Sequence, residues 1–103
     1  MSESMFQAKL IREIKKRFPE AIVLKNDPKY IDGFPDLTVL YFATYFILEV
    51  KKSRDAYLKS LRKQKNQKYY IDKLAKMAHA AFVYPENKEE VLHAMEEAFG
   101  ARG

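Results

Sequence analysis

The sequence predicts an α/β domain in which a mixed four-stranded sheet is flanked by helices. Amphipathic segments of helical period stand at both ends of the chain. Short β-branched or aromatic runs lie between them, and a further helical segment separates the last run from the rest. At 103 residues the chain suffices for one core and is too short for two, so residues 1–103 are expected to form a single domain.

The first element spans residues 3–18, where Phe6, Leu10, Ile14 and Phe18 share one helical stripe and Lys9, Arg12, Lys16 and Arg17 lie off it. Ser2 or Ser4 can cap it, and Pro19 marks its end. AIVLK at 21–25 reads as a strand, followed by the loop NDPKYIDGF. Gly33, the only glycine before residue 100, is expected to serve a backbone conformation or close approach that a Cβ would obstruct. PDLTVLY and YFILEVKK form two strands joined near Phe42, Ala43 and Thr44, a connection short enough for a hairpin. Their nearly continuous apolar runs suit strands covered on both faces. Residues 54–63 are only weakly periodic and read as a loop or an extra helical turn. NQKYYIDKLAKMAH then places Tyr70, Ile71, Leu74, Met77 and Ala78 at helical spacing. AAFVY is a buried strand, and ENKEEVLHAMEEAFG ends the pattern as a helix with an Asn87/Glu90 capping box, a stripe of Val91, Leu92, Met95 and Phe99, and a Gly100 cap. The order is α, β, β, β, α, β, α. The sheet is mixed because a hairpin is antiparallel, whereas helix-linked strands can run parallel.

The chain has no cysteine, no run of about 18 or more apolar residues, and no charged-then-apolar leader, so a soluble cytoplasmic protein is expected. Its net charge of +5 is unevenly spread: ten Lys or Arg face two acids between Lys51 and Lys76, and five Glu face one Lys between Glu86 and Glu97. One side of the fold should present a positive field suited to a polyanion. Solvated helix faces are the plain alternative.

The chemistry lies at the ends of the hairpin. Alternation along the second strand puts Glu49 and Lys51 on one face and Leu48 and Val50 on the other, in the core. A hairpin closed at 42–44 brings Asp36, at the start of the first strand, opposite the end of the second. Two adjacent carboxylates repel unless a proton, a cation or a basic side chain intervenes. Mg²⁺ meets that need, since it takes one or two protein carboxylates and leaves its other positions to water and phosphate. An adjacent lysine can orient a water or stabilise charge gathering on phosphorus. The alternative is structural: Asp36 caps a turn after Pro35, and Glu49 pairs with Lys51 at a strand end.

These residues resemble the PD-(D/E)XK nucleases: Pro35-Asp36 matches the PD element and Glu49-Val50-Lys51 the (D/E)XK element. With Glu3 ahead of Phe6-Gln7, Gly33-Phe34-Pro35-Asp36-Leu37, Glu49-Val50-Lys51-Lys52, and Asn66-Gln67 seven residues before Leu74, the chain looks most like the small virus-type replication-repair nucleases (VRR-NUC) of bacteriophages, relatives of Holliday junction resolvases. The resemblance covers nearly the whole chain and implies a restriction-endonuclease-like αβββαβ core. It implies that Asp36 and Glu49 ligate Mg²⁺, with Mn²⁺ able to substitute, that the Val50 carbonyl adds a ligand, and that Lys51 is the catalytic lysine. Glu3 corresponds to the first-helix acid facing the metal, with Glu13 as its rival. Gln67 corresponds to the helix glutamine near the lysine, with Gln64 as its rival. Between Arg54 and Gln67 the chain departs from the family pattern in an additional Lys-rich stretch.

The implied activity is that of a Mg²⁺-dependent DNA endonuclease acting on branched or junction DNA in phage DNA metabolism, in the host cytoplasm. Lys25, Lys52, Arg54, Arg62, Lys63 and Lys65 are the expected phosphate contacts. The competing functions are a homing or restriction-type endonuclease and a non-catalytic nucleic-acid-binding protein. Tyr41, Phe42, Tyr45 and Phe46 crowd the hairpin tip, either as cross-strand packing or as a dimer surface. Paired cuts in a junction need two sites, which favours a homodimer. His79 and His93 have no partner at ligand spacing and read as ordinary helix or helix-end residues.

Overall fold

The computed structural model describes residues 1–100. Helix α1 (Glu3–Arg17) is capped by Ser2, whose hydroxyl accepts from the Met5 N–H at 3.2 Å. Its acid sits in the first turn and Lys15, Lys16 and Arg17 in the last, in the sense that complements the helix dipole. Strands β1 (Ile22–Lys25), β2 (Leu37–Tyr41) and β3 (Thr44–Val50) follow, then helices α2 (Arg54–Lys63) and α3 (Lys65–Met77), strand β4 (His79–Val83), a short 3₁₀ turn, and helix α4 (Lys88–Phe99). The four strands form one sheet in the order β1-β2-β3-β4. The first three are antiparallel, and β4 runs parallel to β3 after the helical crossover. The domain is thus α/β, with a mixed four-stranded sheet flanked by helices. Among the described residues no helix is long and apolar enough to cross a membrane.

Strand alternation sorts the residues onto two faces. Leu37, Val39, Tyr41, Phe46, Leu48, Val50 and Val83 point to one side, where they pack with Phe6, Leu10, Ile14 and Phe18 of the α1 segment and Val91, Leu92, Met95 and Phe99 of α4. Leu10, Ile14, Leu37, Val39, Leu48, Val50, Leu92 and Met95 lose all measurable contact with solvent, each worth about 1.5–3 kcal/mol in apolar transfer. Phe18 joins this core edge-on to Tyr41 and Phe99, with ring centroids 5.7 and 5.0 Å away.

The other face is covered only in part. Helix α3 lies over the β3–β4 half, so residues 46 to 50 of β3 are all buried, as expected of a strand covered on both faces. The β1–β2 half is open. Ile22, Leu40 and Tyr45 stand side by side across three strands and are exposed, as is Leu24 one row away.

Several local expectations are corrected. Residues 54–63 form a full helix, nucleated by Ser53, whose hydroxyl accepts from the Ala56 N–H at 3.1 Å. Met77 is exposed rather than on the buried stripe of α3, because the helix ends there and turns directly into β4. Asn87 forms no capping box with Glu90: its Oδ1 accepts from the Tyr84 N–H at 2.8 Å and its Nδ2 donates to the Phe82 carbonyl at 3.1 Å, so the side chain closes the turn after β4. The hairpin aromatics divide as well. Tyr41 and Phe46 enter the core, while Phe42, in the left-handed region at φ 53°, and Tyr45 face solvent.

Gly33 is required in its position for two reasons. Its φ is +82°, and a Cβ there would stand 2.4 Å from Asn66 Cβ and 2.9 Å from the Asn66 carbonyl carbon, so the loop backbone rests directly on the first turn of α3. Gly100 has φ +70° but open space around its Cβ position. Urea unfolding should therefore show Gly33→Ala losing more stability than Gly100→Ala, because both positions share a positive φ but only Gly33 lacks room for a Cβ.

Candidate metal centre

Each member of the site is delivered by a different constraint. The register Leu37↔Leu48, continued one step, sets Asp36 opposite Glu49. Asp36 is locked there because its Oδ2 accepts from the Val50 N–H at 2.8 Å, and its own carbonyl accepts from the Asn26 N–H at 2.8 Å. Asn26 also donates from Nδ2 to the Pro35 carbonyl at 2.9 Å and to Thr38 Oγ1 at 3.0 Å, which ties down the loop that carries Pro35-Asp36. Leu48 and Val50 lie in the core, as alternation requires. Glu49 therefore projects to the opposite face, into the space beside α2 and α3.

Glu49 is 2 % exposed and Lys51 6 % exposed, burial that isolated charges do not tolerate. Lys51 Nζ lies 3.8 Å from Glu49 Oε2 and donates to Gln64 Oε1 at 2.9 Å. Glu49 Oε1 is buried with no hydrogen-bond partner. The Glu49 carboxyl is pushed up to about 9, first by burial, then by the charge of Asp36 and a hydrogen bond shared with it; Lys51 opposes the shift and Glu3 adds to it. Burial and the neighbouring carboxylate thus favour the protonated form of Glu49.

The Glu3 carboxyl is raised too, by partial burial first, with Lys51 opposing and Asp36 reinforcing the rise, so the start of α1 shares the field of this site. Glu13 is engaged elsewhere, 2.8 Å from Lys88 Nζ and 3.5 Å from Arg17. Of the two amides, Gln64 is the one bonded to Lys51. It occupies the break between α2 and α3, a junction that weak periodicity did not reveal. Gln67, one turn on, lines the hollows on both sides of the site, and its Oε1 is buried without a partner. Val50 meets the site through its backbone N–H, which donates to Asp36.

Two hollows flank these groups. One of about 480 Å³ is lined by Asp36, Glu49, Gln64 and Gln67 together with Arg62, Lys63 and Lys65. A second, of about 370 Å³, is lined by Glu3, Lys51, Gln64 and Gln67 together with Lys52, Lys59 and Lys63. Lys52, Arg62, Lys63 and Lys65 are thus brought to the site. Lys25, at the end of β1, and Arg54, whose N–H donates to Glu86 at 3.1 Å, line neither hollow. The histidines lie apart, along a hollow of about 550 Å³ between α3, β4 and α4. There His79 opens β4 and stacks on Phe46, and His93 Nε2 is 2.8 Å from Glu97 Oε1.

The donor set fits a hard divalent cation. Among the described residues no group of three or more His, Asp or Glu could by itself hold a metal ion. Mg²⁺ does not need one, because it fills most of its octahedron with water and phosphate oxygens. The orphaned Glu49 Oε1 and the mutual repulsion with Asp36 are what a cation would relieve. The chain matches no family model, no curated protein and no solved structure.

The raised Glu49 carboxyl has a sign in stability. Between pH 4.5 and about 9 the metal-free folded state holds a proton that the unfolded chain has released, so its stability falls as pH rises through that window. Thermal melts in EDTA from pH 5 to pH 9 should show wild type losing stability relative to Glu49→Gln. At pH 8, Mg²⁺ should raise the melting temperature of wild type and have a smaller effect on the variant.

Proposed function

We propose that this chain is a divalent-cation-dependent DNA endonuclease of the PD-(D/E)XK class, with a restriction-endonuclease-like core and closest in kind to the small VRR-NUC enzymes. The observation that carries this reading is the buried Glu49 carboxyl, paired with half-buried Asp36 across the hairpin, beside a lysine whose Nζ is held by Gln64 at 2.9 Å. The strand order and the parallel fourth strand are compatible with it.

Asp36 and Glu49 would hold Mg²⁺ or Mn²⁺, with the Val50 carbonyl as a further oxygen and Glu3 close by. When bound, the ion supplies Lewis-acid polarisation of the phosphodiester and neutralises charge in the transition state. Lys51, held by Gln64, presents its ammonium to the scissile phosphate, where it stabilises the developing negative charge and orients an attacking water. Gln67 offers an unpaired carboxamide oxygen as an acceptor for that water. Lys52, Arg62, Lys63 and Lys65 bind flanking phosphates along the two hollows. Water attack with departure of the 3′ oxygen leaves 5′-phosphate and 3′-hydroxyl ends. Branched DNA is the proposed substrate, and two copies are needed for paired cuts. The open apolar row of Ile22, Leu40 and Tyr45 is available for their association.

The test uses supercoiled plasmid, a synthetic four-way junction and a matched linear duplex, each incubated with Mg²⁺ and with EDTA. Cleavage is expected only with Mg²⁺ and fastest on the junction. Lys51→Ala and Asp36→Asn should lower the rate about 10²–10⁴-fold, with circular dichroism showing both folded; Asn at 36 keeps an acceptor for the Val50 N–H. Binding without metal-dependent cleavage would assign the basic face to a non-catalytic role. Preference for one duplex sequence over the junction would assign a restriction or homing function.

A further inference from the structure

The loop between β1 and β2 does more than deliver Asp36. Residues 26–34 enclose a hollow of about 410 Å³ lined by Asn26, Asp27, Tyr30, Ile31 and Phe34, within the size range of small-molecule sites. Phe34 also lines the carboxylate hollow, so the two spaces share a wall.

Tyr30 is the most exposed large apolar side chain among the described residues, at 85 %. The loop does not depend on its ring. Polar bonds shape it instead: the Lys29 N–H donates to Asp27 Oδ1 at 2.9 Å, the Tyr30 N–H to the Asp27 carbonyl at 3.3 Å, and the Phe34 N–H to the Ile31 carbonyl at 3.1 Å. Asn66 Nδ2 fastens the far end through Asp32 Oδ2 at 2.8 Å. An exposed aromatic ring on a loop held by other bonds, beside an apolar hollow, is a platform for a flat partner. From Phe34 the aromatic surface continues to Tyr70 and Tyr69, at centroid distances of 5.6 and 5.1 Å, on a helix that also carries Lys65, Lys68, Lys73 and Lys76. Flat rings flanked by lysines suit a nucleic-acid strand, since bases stack while phosphates pair with ammonium groups. Asp27 has no ion-pair partner among the described residues, and its second oxygen can accept an amino or imino N–H from a base edge.

We propose that this hollow receives an unpaired nucleobase of the bound strand, stacked on Tyr30 beside Phe34, while the adjoining backbone runs past Asp36, Glu49 and Lys51. The position of the cut rests on the nuclease reading; capture of the base does not. A base inside a duplex cannot offer its face to the ring, so the strand must be unpaired or extruded at this nucleotide. That narrows the substrate to DNA with unpaired nucleotides beside the scissile phosphate.

The experiment is run in EDTA, with oligonucleotides carrying 2-aminopurine in a single strand, at a bulge, and fully paired. Stacking in the hollow should quench 2-aminopurine fluorescence in the first two, with affinity about tenfold or more above that for the paired duplex. Tyr30→Ala should abolish the quenching and the affinity difference while leaving paired-duplex binding unchanged, and Tyr30→Trp should retain both. Absence of quenching by wild type, or equal quenching by Tyr30→Ala, overturns the pocket, whatever the cleavage assay gives. Quenching that depends on Tyr30 in a protein that never cleaves DNA would keep the pocket and remove the nuclease reading.

Discussion

The hydrogen bond from the Val50 N–H to Asp36 Oδ2 at 2.8 Å is the interaction on which the candidate site depends. It closes the open end of the β2–β3 hairpin with a side chain where a ladder bond would otherwise stand, and so turns strand register into site geometry. A slip of one residue would carry Leu48 and Val50 out of the core and Glu49 into it. Because fifteen apolar side chains on the α1 segment, α4 and three strands pack together in the observed register, the opposition of Asp36 and Glu49 is enforced by hydrophobic burial far from the carboxylates themselves.

The same arrangement carries a local cost. The Glu49 carboxyl and the Lys51 ammonium are withdrawn from water beside α2 and α3, with Asp36 half-buried next to them, and one oxygen of Glu49 has no donor. Such a group persists only where the surrounding structure over-determines it. Here that support is visible on every side: Asn26 ties the loop to Pro35 and Asp36, Gly33 lets the loop backbone lie on α3, and Gln64 meets Lys51 from the α2–α3 junction.

Charge is organised by the fold in a way its linear distribution only outlines. The acidic run in α4 does not face the site. Glu89 and Glu96 accept from Arg17 at 2.7 and 3.1 Å, and Lys88 reaches Glu13 at 2.8 Å, so these charges bind α4 to α1 at the opposite side of the core. With the acids occupied there, Lys52, Arg62, Lys63 and Lys65 are left around the two hollows. Basic side chains therefore border the carboxylates, Arg62, Lys63 and Lys65 in one hollow and Lys52, Lys59 and Lys63 in the other.

Much of this was legible in the chain because it follows from local rules. Helical period located α1, α3 and α4. A two-residue separation forced Glu49 and Lys51 onto one face, and a short turn between two apolar runs set Asp36 against them. Residues 54–63 were not legible: their apolar positions are few, and the helix is nucleated by the Ser53 cap and continued by α3. Nor was the choice of Gln64 over Gln67 at Lys51, since that depends on where α2 stops. The order of the four strands and of α1, α3 and α4, the faces of the strands and the meeting of the two carboxylates were all written in the chain, as consequences of its periodicity and turn length. Packing between elements settled which amide holds the lysine, that Glu3 and not Glu13 shares the field of the site, and that the β1–β2 loop borders a hollow beside Phe34. Those depend on how separate elements pack, which no local spacing encodes.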